Sequence, residues 1–451
     1  MSNQILLHNA HIVDADKDWP KGWIIIDGKN IADIGQGDFN GDMSAFESVE
    51  DLAEALLMPG VIDEHVHFRE PGLEHKADIA TESKAAAAGG VTSFFDMPNT
   101  KPATVTFEAW KQKMDIAAEN SVINYAFYLG ATNENINYLK EADYSYIPGV
   151  KLFMGNTTGA TATSGDQFLE KLFTHVKATI AVHAEDETTI AHNLAELRKG
   201  SSPLPVKFHS NIRNAEACFI ASDKICGLAR RFNHKLHLMH VSTAKELELL
   251  QPGNIENKLI TVETCPQYLL FDRSDYEVAG SRIKCNPSIK ESYDRKKLIE
   301  ATFSEIIDTI GTDHAPHLLK EKEGDALTAV SGMPGIQFSL PLMLELSENK
   351  KQSPCTVSRL MSANPSIIWN VKNRGFIRKG FFADLTAVTK TNVYRLTDEI
   401  VVSKCGWTPY NGKNLSYKIL GTWVNGQKIF NGDSYADNRV ATAVEFEHPQ
   451  T

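Results

Sequence analysis

Apolar runs of six to twelve residues recur through the middle of the chain, at 57–68, 91–97, 123–130, 149–155, 179–184, 235–242, 259–265 and 306–312. Between them, 76–88, 107–120, 167–176, 211–231 and 293–303 carry apolar residues at three- and four-residue intervals, the spacing of one helix face. Short apolar runs alternating with helices predict parallel strands joined by crossover helices. Eight such units fit an α/β fold, a (β/α)8 TIM barrel. The chain ends have a different rhythm. Segments 5–13 and 22–26 are β-branched and broken by Asp27-Gly28, a hairpin-type turn, and 376–388 and 420–430 read as strands again, with Asn425-Gly426 as a second turn. The expectation is a small β-sandwich domain built from both ends, 1–57 and 375–451, flanking a barrel over 58–374. Residues after Asp437 read as a loose tail.

Composition narrows the function classes. The chain has 451 residues, 42% hydrophobic and 23% charged, with a net charge of −11. A nucleic-acid surface needs a basic field, so none is expected. An anionic substrate would have to be drawn by positive charge inside a site. No run of about 18 apolar residues predicts a membrane span, and the first residues lack the pattern of a signal peptide. Six scattered cysteines without a Cys-x-x-Cys pair suit free thiols in a reducing cytoplasm, the expected location.

The candidate chemistry lies at the strand ends, where barrels of this kind carry their sites. His65 and His67 sit two residues apart at the end of the first run, so both side chains face the same way on a strand, as Arg69 would if the strand continued. Lys151 lies in the fourth run, His183 ends the fifth, His240 the sixth, and Asp313 the eighth. One histidine near a strand end is ordinarily structural, but this many around one barrel mouth suit a metal. Lys151 is the discordant member, because an ammonium in an apolar strand is costly and repels cations. Either a salt bridge to a carboxylate or conversion by CO2 to an anionic carbamate relieves that conflict.

Seven segments carry a family resemblance: 59–72, 96–102, 150–153, 182–185, 240–242, 284–287 and 311–317. With them the chain resembles the amidohydrolase superfamily and, within it, the dihydroorotases. The resemblance implies two zinc ions per subunit, one held by His65, His67 and Asp313, the other by His183 and His240, bridged by N6-carboxylated Lys151. A shared hydroxide would attack a cyclic amide with Asp313 as catalytic proton shuttle. Arg69 and Asn99 would bind the substrate carboxylate with His317 completing the pocket, and Asn286, Pro334 and Gly335 would hold the ring. The implied reaction is the reversible closure of N-carbamoyl-L-aspartate to (S)-dihydroorotate, a step of pyrimidine (UMP) biosynthesis, in a homodimer that could associate with aspartate transcarbamoylase.

Two alternatives stand beside this reading. Glu263-Thr-Cys-Pro-Gln-Tyr-Leu269 looks more like allantoinases and hydantoinases, since many dihydroorotases have histidine where Gln267 stands. The Arg69–Asn99 pair argues the other way. A non-catalytic homologue partnering aspartate transcarbamoylase would have lost metal ligands, and all six expected positions are filled. The segment 155–163, rich in glycine and threonine, is expected to be a mobile lid, a substrate-binding βα loop or a plain solvent loop.

Overall fold

A computed structural model describes residues 4–155, 165–200, 203–437 and 439–447. The lid expectation falls, Gly155 apart, outside the described residues. Eight parallel strands form the barrel: Val61–Val66, Val91–Asp96, Asn124–Phe127 continued by Leu129–Gly130, Val150–Met154, Ile180–Ala184, Leu236–Leu238, Ile260–Thr264 and Thr309–Ile310. The ring closes where Val66 bridges His314 and the His67 amide donates to the His314 carbonyl at 2.8 Å.

Local chemistry accounts for the helix boundaries. Ile79–Ala88 starts at Asp78, whose carboxylate takes the Thr81 amide, so the helix begins three residues later than the periodicity of 76–88 implies. Ala215–Phe232 likewise starts at its cap Asn214 and stops at Asn233, which adopts a left-handed φ of 50°. The sixth crossover contains only short 3-10 turns, Glu246–Leu249 and Ile255–Asn257, in place of an α-helix.

The chain ends form one eight-stranded sheet. Its centre is Leu56–Pro59, paired antiparallel to Leu385–Arg395 and parallel to Gln4–Val13. The single strand expected over 57–68 is therefore two, broken at Gly60, and its first half belongs to the terminal sheet. The strand expected over 376–388 begins only at Leu385, since 376–384 turns back against Lys29–Ile31. Asn425 and Gly426, at φ 48° and 81°, turn the hairpin between Asn414–Val424 and Gln427–Phe430. Leu7, Ile12, Ile24 and Leu57 from one end pack with Leu385, Ala387 and Trp423 from the other in one apolar cluster.

Residues 439–447 are not a loose tail. Tyr125 exchanges backbone hydrogen bonds with Thr442 and Val444, and Val444 and Phe446 are buried against Phe95, Tyr128 and Trp369 inside the barrel. Burial of these two apolar side chains outweighs the local polarity from which a loose end was expected. All six cysteines are unpaired, and no helix among the described residues is long and apolar enough to cross a membrane.

Candidate metal centre and substrate cleft

One cleft at the strand ends is lined by His65, His67, Arg69, Asn99, Lys151, His183, His240, Asn286 and Asp313, together with Phe153, Ala315, Ser331 and Gly332. Strand periodicity alone does not bring these groups together. The first strand has an irregular register between Asp63 and Val66 and ends there, so His67 and Arg69 lie beyond it. Arg69, His240 and Asp313 all adopt left-handed backbone, at φ 72°, 42° and 48°. Such conformations are costly for non-glycine residues and persist where the surroundings over-determine them. Here Asp96, ion-paired to buried Lys113, takes the Phe68 amide at 2.7 Å, and Asp63 takes the Thr312 amide and hydroxyl at 3.1 and 2.6 Å.

His65, His67 and Asp313 form one tight donor group, with ligand atoms within 4.8 Å of one another. The Asp313 Oδ1 lies 3.3 Å from His65 Nε2 and 3.0 Å from His67 Nε2. Each imidazole is oriented from behind. His65 Nδ1 donates to Glu263 Oε1 at 2.8 Å and His67 Nδ1 to Asn99 Oδ1 at 2.7 Å, leaving both Nε2 atoms bare toward Asp313. Gly311 makes the first arrangement possible, because a Cβ there would lie 2.3 Å from Glu263 Oε2.

His183 Nδ1 and His240 Nε2 face each other at 2.8 Å, while His183 Nε2 lies 3.1 Å from Glu185 Oε2. Burial lowers the pKa of both rings, that of His240 well below its ordinary value. Two neutral rings presenting converging nitrogens suit a cation between them, and the buried His240 Nδ1 has no hydrogen-bond partner among the described residues. Lys151 is buried and makes no ion pair among the described residues. Its Nζ lies 2.8 Å from the Met239 thioether, and burial lowers its pKa to about 7. The salt-bridge alternative for Lys151 is therefore not what the structure contains. An uncharged amine is the form that adds CO2, and the donor groups of the cleft fit a metal centre.

Several supports had no sequence signal beyond their residue type. Glu263, Asp63 and Glu185 become meaningful only through the partners that the barrel brings to them. Glu64, on the first strand, and His237 form a second buried group with Glu263, the residue that also takes His65 Nδ1. Glu185 is tied to Arg213, and that pairing, with His183, overrides burial to hold its pKa at about 2.

On the substrate side, three expectations change. His317 is fully buried and does not line the cleft; its Nε2 lies 3.0 Å from Arg69 Nη2, so it stands behind the arginine. Pro334 and Gly335 line a separate pocket with Trp407 and Phe338, because the Gly335 amide is held by His314 Nδ1 at 3.0 Å. Ser331 and Gly332 occupy the cleft wall instead. Asn286 does line the cleft, and its Oδ1 takes a bond from His209 Nε2 at 3.0 Å, leaving its amide NH2 to face a ligand. Gln267 is buried and donates to the Thr312 carbonyl at 3.2 Å, away from the cleft.

A sequence profile described as "Amidohydrolase family" matches residues 56–429. A curated relative named dihydroorotase, from Methanosphaera stadtmanae, is 33% identical over 82% of this chain and 84% of its own length. One named allantoinase, from Streptomyces avermitilis, is 30% identical over 94% of this chain and 95% of its own. Among solved structures, the L-hydantoinase (dihydropyrimidinase) from Arthrobacter aurescens superposes with a TM-score of 0.91 at 24% identity, over 99% of this chain and 100% of that one. That likeness gives the fold. The profile match over most of the chain gives the family, and the chain belongs to the amidohydrolases.

Proposed function

We propose that the protein is a dihydroorotase, interconverting N-carbamoyl-L-aspartate and (S)-dihydroorotate in pyrimidine biosynthesis. The observation that carries this reading is the state of Arg69. Its Nε donates to the Pro316 carbonyl at 3.0 Å and its Nη2 reaches His317, so one edge of the guanidinium is docked on protein. The other edge, Nη1 with the second Nη2 hydrogen, is left to the cleft, a planar fork suited to a carboxylate. Asn99 stands in the same cleft, with its Oδ1 bonded to His67. Allantoin and hydantoin carry no carboxylate for this pair to read.

His65, His67 and Asp313 would hold one zinc ion and His183 and His240 a second, with carboxylated Lys151 between them. Bound there, the metals would supply Lewis acidity and bring the pKa of water toward neutrality. The protein's part is positional and protonic. Asp313, within 3.3 Å of His65 Nε2 and 3.0 Å of His67 Nε2, is the residue to take a proton and return it to the departing ring nitrogen. Asn286 holds the ring through its free NH2. Turnover of dihydroorotate, allantoin and hydantoin by the purified protein tests the assignment. Dihydroorotate is the expected substrate, with activity lost on chelation and in Lys151→Ala; faster turnover of either other ring would refute it.

A further inference from the structure

We propose that Lys322 and Lys284 are positioning residues that set the width of the substrate cleft by lacing the backbones of two of its walls together. The proposal rests on the reading above only in that the cleft takes a cyclic amide, and not on which one. One wall is 284–286, whose last residue, Asn286, lines the cleft. The other is 329–332, which contributes Ser331 and Gly332. A main-chain hydrogen bond joins them, from the Gly332 amide to the Lys284 carbonyl at 2.9 Å.

Two lysine side chains add the rest. Lys322 Nζ donates to the carbonyls of Lys284, Val330 and Gly332 at 2.9, 2.8 and 2.7 Å. In the opposite direction, Lys284 Nζ donates to the Ala329 carbonyl. An ammonium has three N–H donors and no acceptor, so these three carbonyls saturate Lys322. They favour the charged form, which burial disfavours by lowering the Lys322 pKa to about 7. Both side chains are buried, and neither makes an ion pair among the described residues. A buried cation without a carboxylate is costly, and a backbone amide would satisfy a carbonyl at less expense. What the lysine adds is geometry. One atom holds carbonyls of both walls at hydrogen-bond distance, so Asn286 cannot draw apart from Ser331 and Gly332 without breaking these bonds. Neither lysine lines the cleft or touches the metal-capable side chains, so their effect falls on the fit of the ring.

Lys322→Met and Lys284→Met keep the bulk of the side chain and remove its donors. Each, in the full-length metal-loaded protein, is to be compared with wild type by steady-state kinetics. The substrate is whichever of dihydroorotate, allantoin and hydantoin the wild type turns over fastest. Each variant is expected to raise KM about tenfold, the worth of one hydrogen bond to the ring, with kcat within about threefold and metal content unchanged. Lys322→Arg, which keeps a cation with several donors, is expected to recover part of the loss. An unchanged KM in either folded variant, or a fall in kcat or metal content at constant KM, would overturn the positioning role. If Lys322→Met does not fold, Lys284→Met decides; failure of both to fold would make the pair core residues and overturn the proposal. Wild-type protein that prefers allantoin or hydantoin would refute the proposed function alone, and the variants would still be compared on that ring. Wild-type protein that turns over none of the three would overturn both.

Discussion

A buried guanidinium with one edge docked and the other open is an expensive arrangement, since burial lowers the Arg69 pKa to about 10 and its backbone is left-handed. That expense makes it sensitive to substitution. Arg69→Met is expected to raise KM for carbamoyl-aspartate about a hundredfold, from the loss of a charge-assisted fork, with a much smaller change in kcat. Initial rates in both directions check this, and an unchanged KM would remove Arg69 from substrate recognition. At this scale the sequence was legible wherever chemistry demands a rare residue type. The metal-capable residues stood out by type and by place at a strand end, and Arg69 through the family resemblance. Glu263 and Asp63 did not, because a glutamate or aspartate is common and its partner lies up to 249 residues away.

At the scale of elements, strands and helices were legible in their core and not at their ends. Val150–Met154 and Ile180–Ala184 are apolar apart from Lys151 and His183, but His240 and Asp313 lie past their strands on left-handed turns that no periodicity marks. What holds such ends is contact between elements. Glu185, just after the fifth strand, is buried and paired with Arg213, just before Ala215–Phe232. Burial raises its pKa and the Arg213 and His183 partners lower it further, to about 2, so the folded value lies below the unfolded one. Its contribution is thus present above about pH 4.5 and lost as pH falls toward 2, and a shift of that size is worth about 3 kcal/mol. Urea unfolding between pH 6 and 3 is expected to show a flatter pH dependence in Glu185→Gln, on a lower plateau at neutral pH. Parallel curves for the two proteins would exclude this linkage.

Across the whole molecule, the last described residues turn out to be structural. Val444 and Phe446 enter the barrel interior beside Phe95, with the Phe95 and Phe446 ring centroids 5.4 Å apart and edge-on. Truncation after Arg439 removes two buried apolar side chains, at roughly 1.5–3 kcal/mol each, and is expected to lower Tm by several degrees. A scanning calorimetry trace unchanged by the truncation would show the segment to be dispensable.

Sequence alone determined the architecture and the kind of chemistry, because hydrophobic periodicity and rare ligating residues are local properties that survive in a linear string. It pointed to a β/α barrel with a terminal β domain, and to histidines, a lysine and an aspartate around one mouth. Only tertiary structure decided the division of labour. It moved His317 behind Arg69, drew Pro334 and Gly335 into another pocket, gave Asn99 to His67, and sent the tail into the barrel. Those outcomes depend on which donor meets which acceptor across tens to hundreds of residues, a property of the packed fold and not of any stretch of chain.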